Sequence, residues 1–422
     1  MIRKILVAGG GTGGHLFPGL AVVEELRRRL PSLEVLFVGS RRGIEAKVLP
    51  ERGERFVALE IQPLLGRSPL QMLKNASVLP RSTWQAASIV REFQPDVAIG
   101  LGGYAAGPAL LAATALGVKT ALLEQNVHVG LTNRLLARTV GRAYLSHERT
   151  LPMFGPARGR VVGNPVRRAF VEAARMAIHD PQGTEARART VLVLGGSQGA
   201  RSLNVSVPEA LARAGIAGLG VRIVHQTGSA MAEEVRARYR QLRLEAEVVP
   251  FIDDMARAYI EASLVITRAG FSAIAELCVV GRPSILVPLP TAAEGHQAMN
   301  ARALEADGAA VAMEEPLSAE RLGLEVRALL TDPVRRQRMA DTARRLGRPD
   351  AAAAIVDDLL GWLGVPTEGH PESEPDAGGA SSDPSTPGTS AAQSLPPAQR
   401  RPKVKSAPLR LRQVGAGLDA AG

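Results

Sequence analysis

A histidine stands at the end of a glycine-rich loop near the start of the chain, in the stretch VAGGGTGGH at 7–15. Gly9, Gly11 and Gly14 have the G-x-G-x-x-G spacing, which lets the backbone turn tightly into a helix. A helix N-terminus suits a phosphate group, because its unpaired N–H groups and the helix dipole both favour an anion. His15 lies in the mouth of this loop. A histidine with a pKa near neutrality there either accepts a proton from a reacting hydroxyl or merely caps and packs the helix.

A second helix start of the same character lies in the stretch TRAGFSAIAEL, which begins at Thr267. A predicted strand ends near Arg268, and a helix begins at Phe271 with Ser272 in its first turn. Glu276 follows about one turn later. Its carboxylate either accepts from two adjacent sugar hydroxyls or faces solvent, as most glutamates do.

Two more positions extend this pattern toward a sugar nucleotide. Gln297, in the stretch EGHQ that opens another helix, has an amide that both donates to and accepts from sugar hydroxyls. Ile252, in PFIDDM, stands at a strand end where a base can lie against the backbone. Together these positions predict a site for a nucleoside, a diphosphate and a sugar.

Other phosphate-binding loops fit the glycines less well. A dinucleotide-binding unit needs an acidic residue after its second strand to hold the ribose. Here the predicted strand at 34–39 runs into Ser40, Arg41 and Arg42, although an arginine there can accept a 2′-phosphate. A Walker loop is excluded, because no Lys-Ser or Lys-Thr follows the glycines.

The elements that must carry these residues alternate between strand and helix patterns, which predicts an α/β fold with parallel sheets. Because the strand and glycine turn at 4–14 return at 190–199, we expect two Rossmann-like domains facing each other across a cleft. The boundaries are predicted at 1–163 and 164–345, with a helix near 346–363 completing the first domain. The Pro-, Ser- and Gly-rich stretch at 366–422 is predicted to be a disordered tail. The predicted strands lie at 4–8, 34–39, 95–102, 119–125, 142–147, 190–194, 221–225, 247–251, 264–268 and 284–289.

Composition narrows the class of protein. The 422 residues are 45% hydrophobic, carry a formal net charge of +10 and contain one cysteine, Cys278. That usage suits a reducing compartment, and neither a signal peptide nor a transmembrane segment is expected. With only 3% aromatic residues and no nucleic-acid motif, the basic charge favours anionic lipid or substrate over nucleic acid.

Several motifs occur in order across residues 1–363 and cover the predicted folded body. They are GGGTGGHLFPGLAV, GLGGYAAGPA, EQNVHVGLTNRLLA, GNPVR, LGGSQGA, HQTG, PFIDDM, RAGFSAIAEL and EGHQAMNA. By these motifs the chain resembles the MurG family of peptidoglycan glycosyltransferases. It departs from the family pattern at Phe271, where a small residue is usual, and at His128, where a less polar residue is usual.

The resemblance implies a GT-B fold and an inverting transfer of N-acetylglucosamine from UDP-N-acetylglucosamine to undecaprenyl-diphosphate-linked muramoyl-pentapeptide, with neither metal nor cofactor. Inversion needs a base that deprotonates the muramoyl hydroxyl as it attacks, and His15 is the candidate, with Glu124 as the alternative or as a purely structural residue. The acceptor diphosphate is expected at Gly102, Gly103, Tyr104 and Gly107. The implied donor-site residues are Thr12, Gly13, Gly14, Asn126, Arg167, Ser197, Ile252, Phe271, Ser272, Ala273, Ile274, Ala275, Glu276 and Gln297.

Three other functions stay open from the sequence. A UDP-N-acetylglucosamine 2-epimerase shares the architecture and the donor, but it would need no lipid acceptor. Another GT-B glycolipid synthase would use a different lipid. A non-catalytic subunit that binds a sugar nucleotide is disfavoured, because both glycine loops are intact.

One segment predicts contact with a membrane surface. Between Glu60 and Glu92 there is no acidic residue, and prolines and a glycine divide the segment into pieces too short to span a bilayer. Apolar anchors with cations suit an anionic headgroup layer, although any single leucine can instead pack in the core. We expect peripheral attachment to the cytoplasmic face of the inner membrane, with other cell-wall synthesis proteins as further partners. The segment carries Arg67, Lys74, Arg81 and Arg91, interleaved with Leu64, Leu65, Leu70, Met72, Leu73, Val78, Leu79 and Trp84.

Overall fold

The computed structural model describes residues 2–61, 79–179, 190–196, 199–292 and 295–365. Within these ranges the strands form two sheets, one of seven strands and one of six, and every strand pair is parallel. Helices connect successive strands, as parallel pairing requires. No helix in the described part of the chain is long and apolar enough to cross a membrane.

The first sheet has the strand order β3-β2-β1-β4-β5-β6-β7. Strand β1 is flanked by β2 and β4, so that Val7 lies opposite Phe37 on one side and Ile99 on the other. The strands of this sheet and the helices that connect them are β1 (Lys4–Gly9), α1 (Gly13–Arg29), β2 (Glu34–Ser40), α2 (Glu45–Glu51), β3 (Phe56–Leu59), α3 (Leu79–Phe93), β4 (Val97–Gly102), α4 (Ala106–Ala115), β5 (Lys119–Glu124), α5 (Leu131–Leu136), β6 (Arg142–Leu145), α6 (Leu151–Phe154) and β7 (Gly159–Val161).

The second sheet repeats this winding, with the order β10-β9-β8-β11-β12-β13. In both sheets the first strand lies at the point where the order reverses, which is where open α/β sheets bind ligands. Its elements are α7 (Arg168–His179), β8 (Thr190–Leu194), α8 (Arg201–Arg213), β9 (Arg222–Gln226), α9 (Ala232–Gln241), β10 (Glu247–Val249), α10 (Met255–Glu261), β11 (Ala262–Thr267), α11 (Phe271–Val280), β12 (Ser284–Leu286), α12 (His296–Ala306), β13 (Val311–Ala312), α13 (Ala319–Thr331) and α14 (Pro333–Leu346).

The last described helix, α15 (Ala351–Leu363), packs with the first sheet rather than the second. Ile355 and Leu359 belong to the same buried cluster as Ile5 and Leu16. On the neighbouring face, Asp358 accepts hydrogen bonds from Arg142, Arg160 and Tyr144. Apolar burial and this polar anchor together join the end of the described chain to its beginning.

The predicted α/β fold with two Rossmann-like domains is confirmed, and it is the GT-B architecture. Several element ends differ from the sequence prediction. The strand predicted at 95–102 begins at Val97. The helix that follows β1 begins at Gly13, with the extended Thr12 as its N-cap. The strand predicted at 142–147 ends at Leu145, because the ring Nδ1 of His147 caps a turn by accepting from the N–H of Arg149.

Candidate active site

Two glycine loops pack backbone to backbone where β1 and β4 end. The N–H of Gly10 donates to the carbonyl of Gly102 at 3.3 Å. A Cβ on Gly9 would lie 2.3 Å from that carbonyl oxygen, and one on Gly103 would lie 2.5 Å from the carbonyl oxygen of Gly10. The backbones reach this distance only without side chains, so the loop expected at the donor and the loop expected at the acceptor form one surface.

His15 belongs to the first turn of α1 and faces this surface. Its Nδ1 lies 3.1 Å from Oγ1 of Thr12, and a Cβ on Gly102 would lie 2.9 Å from its ring. Desolvation, together with the nearby His296, lowers the pKa of His15 to about 4, against the raising effects of Glu45 and of a hydrogen bond with the backbone of Gly10. The expectation of a pKa near neutrality was therefore wrong, because the ring lies among protein groups. The imidazole stays neutral at physiological pH and can accept a proton.

Glu124, the alternative base, is buried, and both of its carboxylate oxygens are occupied. One oxygen accepts from the backbone N–H of Asn126 at 3.0 Å. The other accepts from the N–H of Gly130 at 3.1 Å and from Nδ2 of Asn133 at 2.9 Å. Burial raises the pKa of the Glu124 carboxyl, and these hydrogen bonds oppose the increase. The arrangement fixes the loop that carries Asn126, whose own Nδ2 lies 3.4 Å from Glu124.

The start of α11 meets the start of α1 across the cleft. The hydroxyl of Ser272 donates to the carbonyl of Gly14 at 3.0 Å. Gly270 caps α11 without a side-chain hydrogen bond, and the first turn of neither helix contains an acidic residue. Two helix N-termini with uncompensated dipoles therefore converge, which favours an anionic group between them.

Arg167 connects the two halves of this cleft. Its Nη2 donates to Oε1 of Glu276 at 3.0 Å, and its guanidinium lies over the rings of Phe17 and Phe170, 5.1 and 4.6 Å from their centroids. Glu276 is buried, which raises the pKa of its carboxyl, while the charge of Arg167 lowers it. The carboxylate expected to bind a ribose is thus held by an arginine in this structure.

The other predicted donor residues are spread over several elements of the second domain. The side chain of Ile252 is buried, and Oε1 of Gln297 accepts from the N–H of Leu289 at 3.0 Å. Ile274 is buried in α11, whereas Phe271, Ala273 and Ala275 are half-buried. Ser197 lies outside the described residues.

On the acceptor side, Tyr104 is exposed at the end of the second glycine loop. Gly107 lies in the first turn of α4, where a Cβ would make only ordinary contact with Thr132. Of the three glycines expected at the acceptor, Gly107 is therefore the one whose surroundings leave room for a side chain. The residue His128, one of the two departures from the family pattern, is exposed.

Sequence reasoning missed two polar groups that brace the site. The first is Glu45, a fully buried carboxylate under the first glycine loop: Oε2 accepts from the N–H of Gly11 at 2.7 Å, and Oε1 accepts from the N–H of Ser40 at 2.8 Å. The stretch IEAKVLP resembles an ordinary surface helix start. The glycines at 39 and 43 on either side of this contact are the signal that could have indicated it.

The second missed group surrounds Arg268 at the end of β11. Arg268 donates to Glu315 at 2.5 Å and to the hydroxyl of Ser202 at 2.9 Å. These three residues line a cavity of about 570 Å³ beside Gly195 and Gly199. Its size is typical of a small-molecule site, and it adjoins the second glycine turn.

Comparison with known proteins places the chain in a family. Residues 5–145 match the glycosyltransferase family 28 N-terminal domain, and residues 190–355 match the glycosyltransferase family 28 C-terminal domain. A relative from Anaeromyxobacter sp. (strain Fw109-5) is 44% identical over 355 residues, which are 84% of this chain and 92% of the relative. One from Sorangium cellulosum (strain So ce56) is 46% identical over 365 residues, 84% of this chain and 87% of the relative. Both are named UDP-N-acetylglucosamine--N-acetylmuramyl-(pentapeptide) pyrophosphoryl-undecaprenol N-acetylglucosamine transferase.

Solved structures agree with the fold. The crystal structure of Acinetobacter baumannii MurG is similar with a TM-score of 0.65 at 30% identity, over 85% of this chain and 99% of that one. A UDP-N-acetylglucosamine 2-epimerase from Neisseria meningitidis, bound to UDP-N-acetylglucosamine, has a TM-score of 0.59 at 15% identity, over 85% of this chain and 100% of that one. The second likeness extends to the architecture only.

Proposed function

This chain belongs to glycosyltransferase family 28, and we propose that it transfers N-acetylglucosamine from UDP-N-acetylglucosamine to the 4-hydroxyl of muramoyl-pentapeptide carried on undecaprenyl diphosphate. One observation carries the proposal beyond the family. The hydrogen bond of 3.0 Å between Ser272 and Gly14 brings two helix N-termini to a single cleft. Transfer of a sugar from a nucleotide diphosphate leaves negative charge on the departing nucleotide, and two converging helix N-termini are suited to stabilise that charge.

The donor is assigned to the second domain and its edge. In this proposal the start of α11, from Phe271 to Glu276, holds the diphosphate and the ribose, and Ile252 lies against uracil. Arg167 and Ser197 approach the nucleotide. Asn126 and Gln297 contact the sugar, and Thr12, Gly13 and Gly14 lie beside it. Because Arg167 pairs with Glu276 at 3.0 Å, ribose binding must share or break that ion pair.

The acceptor is assigned to the second glycine loop. Gly102 lies against the ring of His15, and Gly103 and the exposed Tyr104 follow it in the same loop. Gly107 contributes from the helix that follows. The muramoyl hydroxyl then reaches the donor sugar from the first domain, and the face of the sugar opposite its UDP group receives the attack.

His15 takes the proton in this reaction. As the muramoyl oxygen forms its bond to the anomeric carbon, the bond from that carbon to UDP breaks, and UDP leaves with the electron pair. The proton of the hydroxyl passes to the neutral imidazole. The negative charge that develops on UDP is stabilised by the dipoles of α1 and α11. Glu124 has a structural role, because its oxygens already accept from Asn126, Gly130 and Asn133.

The first domain is also assigned to the membrane surface. Three consecutive helices each expose one large apolar side chain: Trp84 on α3, Leu111 on α4 and Leu135 on α5. The only acidic residue in these three helices is Glu92. We propose peripheral attachment at the cytoplasmic face of the inner membrane, where apolar anchors enter the headgroup layer of anionic lipid.

One experiment tests the proposed activity. The protein is incubated with UDP-N-acetylglucosamine labelled in the sugar, together with undecaprenyl-diphosphate-linked muramoyl-pentapeptide, and the label is followed into the lipid fraction. We expect labelled lipid, with one UDP released per sugar transferred. Release of UDP with free or epimerised sugar, and no label in lipid, would instead support the epimerase reaction.

A further inference from the structure

The buried carboxylate of Glu45 has no part in the reaction proposed above, yet it lies directly beneath the loop that leads to His15. In addition to the N–H of Gly11 and that of Ser40, it accepts from the hydroxyl of Ser40 at 2.9 Å. In all three contacts the carboxylate is the acceptor, as suits an ionised group. Burial of a carboxylate without such donors is unfavourable, so the surrounding N–H and O–H groups are what allow Glu45 to be buried here.

The chain omits side chains all around this carboxylate. A Cβ on Gly10 would lie 2.6 Å from Glu45, one on Gly39 would lie 2.5 Å away, and one on Gly43 would lie 2.1 Å away. Three segments therefore each have a glycine where a larger residue would collide with Glu45: the glycine loop, the end of β2 and the turn before α2. Surface glutamates have no such requirement.

Two hydrogen bonds, joined by the backbone between Gly11 and Thr12, connect Glu45 to His15. Glu45 holds the N–H of Gly11, in a loop where Gly10 and Gly11 have φ of +130° and +86°. The next residue, Thr12, places its Oγ1 3.1 Å from Nδ1 of His15. Because glycine backbone is intrinsically permissive, the hydrogen bond from Gly11 to Glu45 restricts a segment that would otherwise sample many conformations.

The charge of Glu45 also affects the pKa of His15. Two groups lower the basicity of His15: the protein atoms that desolvate the ring and the nearby His296. Glu45 opposes both by raising the pKa of the ring.

We propose that Glu45 is a positioning residue that sets the orientation of His15 through the Gly11–Thr12 backbone. The inference rests on the proposed function, in which His15 accepts the proton of the muramoyl hydroxyl. It differs from that function in concerning a residue that touches neither substrate.

The variant Glu45→Gln removes the charge and keeps the volume. Its single carbonyl oxygen can serve Ser40 or Gly11, but at the other position its NH₂ faces an N–H donor. We expect kcat to fall about 10- to 100-fold, as for a small misplacement of a reacting group, with KM for the donor unchanged. Glu54→Gln is the matched control. Glu54 is a mostly buried carboxylate in the same domain that pairs with Arg27, so this variant should keep wild-type kcat.

A double-variant cycle separates positioning from general destabilisation. If Glu45 acts through His15, adding Glu45→Gln to His15→Ala lowers kcat no further than His15→Ala alone. An equal loss in both backgrounds, or a His15→Ala variant with normal kcat, would overturn the inference.

Hydrogen exchange gives a readout that does not depend on activity. A peptide covering 9–15 should exchange faster in Glu45→Gln than in the wild type and in Glu54→Gln. The amide oxygen of that variant accepts two hydrogen bonds when it faces Ser40 and only one when it faces Gly11, so the Gly11 N–H loses its acceptor. Unchanged exchange would contradict the inference even if kcat falls. If the wild type places no label in lipid while the exchange difference is present, the proposed function fails, and the structural part of the inference stands separately.

Discussion

His15 shows how burial changes the chemistry expected of a residue type. A histidine beside a phosphate site suggests a pKa near neutrality, but desolvation and His296 lower the pKa of this one to about 4. Such a ring is a weaker base, but it is almost completely neutral at pH 7. Proton transfer from a sugar hydroxyl then occurs late, as the hydroxyl gains acidity from bond formation, rather than before attack.

The first prediction concerns this ring. His15→Ala should lower kcat by about two to four orders of magnitude, because the hydroxyl loses its proton acceptor. The Kd for UDP should hardly change, since the base does not hold the nucleotide. Steady-state kinetics with labelled donor and calorimetry with UDP measure the two effects. A near-normal kcat would exclude His15 as the base and return attention to Glu124.

The pH profile offers a second test of the same side chain. His15 must be neutral to accept a proton, and its pKa in the folded protein is about 4. Activity should therefore stay level as the pH falls from 8 to 5 and decline only nearer the pKa. A decline of kcat/KM centred near pH 6.5 would indicate a different base or a solvated ring. Circular dichroism at each pH distinguishes protonation from unfolding.

Glu276 carries the third prediction. Replacing it with alanine should weaken UDP binding by roughly 1.5–3 kcal/mol, the range for hydrogen bonds to a charged group. The loss should be much smaller for 2′-deoxy-UDP, which lacks one of the two hydroxyls. Glu172→Ala is the control, since Glu172 forms an exposed ion pair with Arg168. If the Glu276 variant prefers UDP over the deoxy analogue as strongly as the wild type does, Glu276 does not bind the diol.

At the scale of elements, the strands were more predictable than the contacts that hold the site. β1 and β8 are continuous apolar runs followed by glycines, and both lie at the reversal of strand order as expected. The pairing of Arg167 with Glu276 could not be predicted, because 109 positions separate them and only the packing of α7 against α11 brings them together. The same holds for Glu45, whose partner Gly11 is 34 positions away.

Helix α15 provides the fourth prediction. Asp358 accepts from Arg142 at 3.2 Å, from Arg160 at 3.0 Å and from Tyr144 at 3.0 Å, which ties the helix to β6 and β7. Asp358→Ala leaves these donors unpaired in a half-buried setting, so the free energy of unfolding should fall by about 2–3 kcal/mol.

The neighbouring Asp357 supplies the matched control for this helix. It pairs with Arg29, but its side chain is 50% exposed. Asp357→Ala should therefore cost less than about 1 kcal/mol. Urea unfolding followed by tryptophan fluorescence compares the two variants, since Trp362 lies in the same helix. Equal midpoints would show that apolar packing alone holds α15.

At the scale of the whole molecule, sequence and structure contribute different parts of the membrane argument. Most of the segment between Glu60 and Glu92, including Arg67 and Lys74, lies outside the described residues. Within the described part, Trp84 is 71% exposed and Arg81 pairs with Glu60 at 3.2 Å. The sequence alone shows that the segment has no acidic residue between Glu60 and Glu92. Only the fold shows that Leu111 and Leu135, from helices outside that segment, are further exposed apolar side chains of the same domain.

The last prediction tests this surface directly. Changing Arg67, Lys74 and Arg81 to glutamate should release the protein from vesicles that contain phosphatidylglycerol, because each cation near an anionic surface contributes about 1 kcal/mol. Trp84→Ser should weaken binding at high salt as well, since an apolar anchor is not screened. Leu324→Ser is the control, because Leu324 is 66% exposed but lies on α13 in the second domain. All variants should keep wild-type affinity for UDP. Undiminished vesicle binding by both the charge variant and Trp84→Ser would place the membrane surface elsewhere, with the basic residues at 400–412 the next to be tested.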